Sequence, residues 1–138
     1  MKPHLRKGLK VELPVVVRPW MKPRLEGLVR HPLYSTWAMA YHMETASRML
    51  LAPHLEEHEE AVSGGMLIKH LRPVGVRAHL RVAATLVSVR GSRVYTRLEV
   101  YSKNRKIGEG SCVQVVMSRG RFARLLRDAR KGNQHGQG

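Results

Sequence analysis

At 138 residues, the chain has room for one domain with a real core and not for two. Hydrophobic residues make up 43%, which excludes a disordered polymer, while Lys and Arg number 25 against 10 acids, a formal net charge of +15. The lone Cys112 cannot form an internal disulfide, and no apolar run approaches the ~18 residues of a membrane span or the pattern of a secretory leader. The expectation is therefore a soluble, cytoplasmic protein.

The charge is uneven. Residues 1–35 carry eight basic and two acidic side chains, residues 36–70 carry two and five, and residues 71–138 carry fifteen and three. A positive field at both ends attracts polyanions: nucleic acid, an anionic membrane, or a phosphate-rich ester of coenzyme A. Exposed arginines also simply keep a protein soluble, so charge alone does not choose.

Along the chain, Leu9–Val17 alternates apolar and polar residues, a half-buried strand in which Pro14 marks an edge or a bulge. Residues 18–34 carry Pro19, Pro23 and Pro32 and read as a long loop or lid. Ser35–Leu51 reads as a helix, with Ser35 or Thr36 able to cap it and Pro53 just past its end. Its apolar residues cover nearly every side, which predicts a buried helix. Strands are expected at Ala61–Leu71, Val76–Val89, Arg93–Tyr101 and Ile107–Met117, with hairpin turns at Arg90-Gly91-Ser92 and Lys103-Asn104-Arg105. Arg119–Lys131 is a basic segment with helical spacing, and residues 132–138 read as a flexible tail after a single domain of residues 1–131. The one helix long and apolar enough to cover an antiparallel meander is 35–51, so the predicted fold is α+β: a five-stranded antiparallel sheet curled around one central helix.

Glu44 is the sole carboxylate between Glu26 and Glu56, within the segment expected to be most buried. A carboxylate there must be paired, hydrogen-bonded or protonated, and perturbed carboxylates are frequent at active sites. A plain pair with Arg48, four residues on, or a structural tie to the sheet would also satisfy it. Thr36, eight residues earlier, projects from the same side of the helix. His70 lies on a strand rich in apolar residues, and a His–carboxylate partnership is one way to build a general base.

These positions also carry a resemblance. The run Tyr34-Ser-Thr-Trp-Ala-Met-Ala-Tyr-His-Met-Glu44-Thr-Ala46 resembles the central-helix motif of hotdog-fold thioesterases, most closely the fluoroacetyl-CoA thioesterase branch. Val62-Ser-Gly64, Lys69-His70-Leu71 and Pro73-Val-Gly75 are similar to that family's Gly-to-His strand. Val89-Arg-Gly91-Ser-Arg93, Ile107-Gly108-Glu-Gly110-Ser111 and Arg121-Phe122 follow in order, so the likeness spans roughly residues 8–125. It implies a hotdog fold, paired as a homodimer (a tetramer being a further option), with the acyl-thioester site at the subunit interface. It implies an acyl-CoA thioesterase acting on a small or medium acyl-CoA, with Glu44 as nucleophile or base, His70 as its proton partner and Thr36 holding the carboxylate or thioester. Gly64 and Gly65 would bind substrate by letting the acyl group approach the strand. No cofactor or metal is implied, coenzyme A entering as part of the substrate. Two departures concern substrate choice: the chain is shorter than the family pattern between His70 and Gly75, and the basic loop 18–34 offers no matching aromatic lid.

Other readings compete. His54-Leu-Glu-Glu-His58 fits H-x-x-E-H, but Pro53 interrupts the helix that a zinc site would need. Cys112 has no matched His or helix start to activate it. A non-catalytic module that binds acyl-CoA, or nucleic acid through its basic strands and tail, is the alternative function. Only Phe122 lies near that tail for base stacking, which argues against nucleic acid.

Overall fold

The computed structural model describes residues 1–135. Five strands, β1 (Lys10–Val16), β2 (Glu59–His70), β3 (His79–Arg90), β4 (Arg93–Ser102) and β5 (Arg105–Ser118), form one antiparallel sheet in the order β1-β3-β4-β5-β2. The helix α1 (Thr36–Leu51) lies in its concave face, the hotdog arrangement, and α2 (Arg119–His135) follows β5. The sheet has two free edges, β1 and β2. Pro14 sits on the first, where a missing N–H costs nothing on the solvent side.

Alternation decides which side chains meet the helix. Leu80, Val82, Ala84 and Leu86 of β3, Val94, Leu98 and Val100 of β4, and Ile107 and Val116 of β5 are buried, together with Met39, Met43, Ala46 and Leu50 of α1. Gly108 lets α1 pack close against β5: a Cβ there would stand 2.5 Å from Met39 Sδ. Among the buried polar groups, Ser47 Oγ is 2.8 Å from Thr96 Oγ1 and accepts a 2.8 Å bond from Gln114 Nε2.

Two expectations need correction. α1 is not buried all round: Trp37, Tyr41, Glu44 and Met49 are exposed, because the sheet wraps only part of the helix. The basic C-terminal segment is helical as far as His135, and residues 136–138, the end of the expected flexible tail, lie outside the described residues. The third strand begins at His79 rather than Val76, after a turn in which Arg77 adopts a positive φ of 79°. No described helix is long and apolar enough to cross a membrane.

Candidate active site

The start of α1 and the end of β2 bring two of the expected residues together. Ser35 takes the capping role, its side chain accepting from the Ala38 N–H at 3.1 Å. That leaves the Thr36 hydroxyl free, and Thr36 Oγ1 hydrogen-bonds His70 Nδ1 at 3.0 Å. The other ring nitrogen, His70 Nε2, is buried without a hydrogen-bond partner. Burial pushes the His70 pKa below the ordinary 6.5, partly offset by the Arg72 backbone, so the ring is neutral at pH 7. With Nδ1–H donating to Thr36, Nε2 presents a free lone pair.

Thr36 and His70 line a cavity of about 480 Å3 whose opposite wall comes from the loop 18–34, through Pro23, Leu25, Val29 and Leu33. The loop is anchored rather than loose: Met21 is buried, the Ser35 N–H donates to the Met21 carbonyl at 2.9 Å, and the Tyr34 N–H donates to the Val74 carbonyl at 2.8 Å. It also carries an aromatic that sequence comparison by motif did not register. Trp20 packs against Trp37, ring centres 5.9 Å apart, and against Tyr41 and His42.

A second pair was not foreseen at all. Tyr34 Oη and His42 Nδ1 are hydrogen-bonded at 2.7 Å, both side chains buried, with the rings stacked 5.8 Å apart. The edge of Tyr34 also meets His70, ring centres 6.2 Å apart. Burial raises the Tyr34 phenol well above its ordinary range and lowers His42. The spacing of eight between Tyr34 and His42, one just before the helix and one inside it, was the available signal. Tyr34→Phe should leave the His42 nitrogen unpaired and cost about 1–3 kcal/mol in a denaturant melt; an unchanged midpoint would contradict the pairing.

The sign of the pH effect follows from both imidazoles. Their folded pKa values lie below the unfolded 6.5, so the stability they contribute is complete above 6.5 and is lost as pH falls through the lower folded values. Glu59 and Glu99, held below the ordinary carboxylate value of 4.5 by the N-terminal ammonium and by Lys106 respectively, act only in stronger acid. Melting temperature should therefore fall between pH 6.5 and 5, and less so in His42→Phe; a flat profile across that window would contradict the assignment.

Glu44 stands apart. Expected to be buried, it is exposed, and it makes no ion pair or hydrogen bond within the described chain. Two turns of helix separate it from Thr36, about 12 Å along the axis, so one chain does not bring it to the Thr36–His70 pair. Arg48 is no partner either: its guanidinium donates to Gln114 Oε1 and, at 2.9 Å, to the Ala61 carbonyl. Glu44 instead lines a separate cavity of about 540 Å3 with Arg48 and Ser63, whose buried hydroxyl has no partner. Gly64 and Gly65 follow at a bulge in the β2–β5 register; a Cβ at Gly64 would stand 3.2 Å from Val115 Cγ2, whereas at Gly65 the nearest atom is 3.6 Å away.

The other candidates do not form sites. His54 closes a short 3-10 turn and His58 lies beyond it, so the two share no helix face, and no three metal-ligating side chains gather among the described residues. Cys112 is buried, which raises its thiol pKa and keeps it protonated.

A Thermus thermophilus hypothetical protein, a thioesterase superfamily member, is 33% identical over 98% of this chain and 99% of its own, with a TM-score of 0.92. A fluoroacetyl-CoA thioesterase is 25% identical, covering 89% of this chain and 96% of its own, with a TM-score of 0.81. A hot-dog-like protein from Thermanaerovibrio acidaminovorans shares the fold at 17% identity, covering 93% of each chain, with a TM-score of 0.83. No curated protein sequence matches the chain. The profile of the fluoroacetyl-CoA-specific thioesterase family matches residues 17–120, and the chain, with its helix start and strand end joined at Thr36 and His70, belongs to that family of thioester hydrolases.

Proposed function

We propose that two copies of this chain pair through their β2 edges and exposed α1 faces, and that each pair of half-sites hydrolyses a small or medium acyl-CoA. The observation that carries this is the separation of the parts. Thr36 and His70 stand at the start of α1 and the end of β2, while Glu44 and Ser63 stand two helical turns on and near the start of β2. A two-fold axis between them, pairing β2 with β2 antiparallel, sets the early part of one strand beside the late part of the other. The partner subunit's Glu44 then reaches the cavity that holds Thr36 and His70. The features needed for such pairing are present: a 12-residue edge strand paired with β5 on one side only, exposed Leu67 on β2, and exposed Trp37, Tyr41 and Met49 on α1.

In this reading Glu44 acts in one of two ways. As a base it deprotonates the water that attacks the carbonyl, and that proton passes to the free Nε2 of His70 and on to the thiolate as the C–S bond breaks. As a nucleophile its own oxygen displaces the thiolate to leave a mixed anhydride, which a water then hydrolyses, giving its proton to Nε2 and regenerating the Glu44 carboxylate. Thr36 fixes the ring through Nδ1. Gly64 and Gly65 leave room for the acyl group beside Ser63. Acid and thiol are the products, and coenzyme A enters only as part of the substrate. No cofactor is invoked, and a cytoplasmic enzyme fits the reaction. Thiol release measured over a panel of acyl-CoAs tests the proposal: short and medium esters should be turned over, and no turnover of any ester would overturn it.

A further inference from the structure

We infer that a basic groove beside the active-site cavity binds the nucleotide phosphates of the coenzyme A ester; the inference rests on the acyl-CoA reading and adds the residues that recognise the substrate's far end. The groove, about 800 Å3, runs between the β2–β3 connection and the β4–β5 turn. Arg72, Arg77, His79, Lys103 and Arg105 line it, and no carboxylate does. Arg72 and Pro73 also line the cavity of Thr36 and His70, so the two spaces adjoin. A thioester seated at His70 can lead past Arg72 directly into the groove.

The charge there is unspent. On the sheet's outer face, Arg81 is paired with Glu12, Arg97 with Glu99, and Lys106 with Glu99 and Glu109. None of the five groove residues is within ion-pair distance of a carboxylate among the described residues. Their backbone is nonetheless fixed. The Arg72 N–H donates to the Ile107 carbonyl and the Arg77 N–H to the Val17 carbonyl at 2.8 Å. Arg77 and Lys103 hold positive φ angles of 79° and 54°, conformations that side-chain-bearing residues avoid unless something maintains them. A rigid rim carrying unpaired cations is suited to a pyrophosphate and a 3′-phosphate, each able to accept several charge-assisted hydrogen bonds.

The test is calorimetric titration of the full chain with adenosine 3′,5′-bisphosphate, alongside acyl-CoA kinetics. Wild type should bind, with affinity falling steeply as salt rises. Arg77→Asn/Lys103→Asn/Arg105→Gln, in which Asn tolerates the positive φ, should bind roughly tenfold or more weakly and show a matching rise in KM. Arg24→Gln/Arg30→Gln, which changes a second basic hollow that adjoins the active-site cavity through Pro23, Val29 and His31, should bind as wild type does. Unaltered binding by the triple variant with an unchanged melting curve, or loss in the loop variant instead, would overturn the groove. Acyl-CoA hydrolysis without any binding of the bisphosphate would sink the groove and leave the hydrolase standing; binding without hydrolysis would do the reverse.

Discussion

Glu44→Ala is expected to lower kcat/KM for acyl-CoA hydrolysis by about 100- to 10,000-fold, the range spanned by a single acid–base group. The melting temperature should move little, because an exposed side chain with no bonds in its own chain contributes within about 0.5 kcal/mol. Few substitutions separate chemistry from stability so cleanly, and the separation comes from the geometry. Had Glu44 been the buried carboxylate that the helix pattern suggested, its removal would have disturbed the core as well. His70→Ala should be comparably inactive, since it removes the free Nε2 and leaves Thr36 with nothing to orient. Glu44→Ala retaining more than a tenth of wild-type turnover would contradict the role given to it.

Gly110→Ala should be the most destabilising of the glycine substitutions. A Cβ there would stand 2.0 Å from the Leu67 carbonyl oxygen and 3.0 Å from its carbon, so β5 and β2 must separate. Backbone cannot rotate away as a side chain can, and the cost should reach about 3 kcal/mol, lowering the melting temperature by roughly 10 °C. Activity should fall with it, because Leu67 is three residues from His70 on the strand that is displaced. Gly120→Ala, with nothing within 4 Å of its Cβ, provides the control and should change stability by less than about 1 kcal/mol. Equal melting curves for the two variants would contradict the packing.

Much of this was legible in the sequence because each feature depends on local chemistry. Alternation along residues 9–17 and 93–101 and the turns at Gly91 and Asn104 specify strands and hairpins, and Ser35 with Pro53 brackets the helix. The meeting of Thr36 with His70 was legible only through the family's motifs, since 34 residues separate them and no periodicity links them. What periodicity misjudged was α1. Apolar residues on every face look the same whether the domain's own sheet or another surface covers them, so Trp37 and Tyr41 read as core and Glu44 as buried. The Tyr34–His42 pair and Trp20 escaped for a related reason: single aromatics in a proline-rich loop carry no repeating pattern, and their placement depends on how Met21 and Tyr34 tie that loop down.

Glu44→Ala and His70→Ala chains, each inactive alone, can be unfolded together, mixed in equal amounts and refolded. In a composite site, half of the dimers are mixed, and each mixed dimer holds one complete pair of Glu44 and His70 from opposite copies. Turnover should then return to about one quarter of wild type. No recovery, with mixed dimers present in the sample, would mean that each chain assembles its site alone and would contradict the two-copy site.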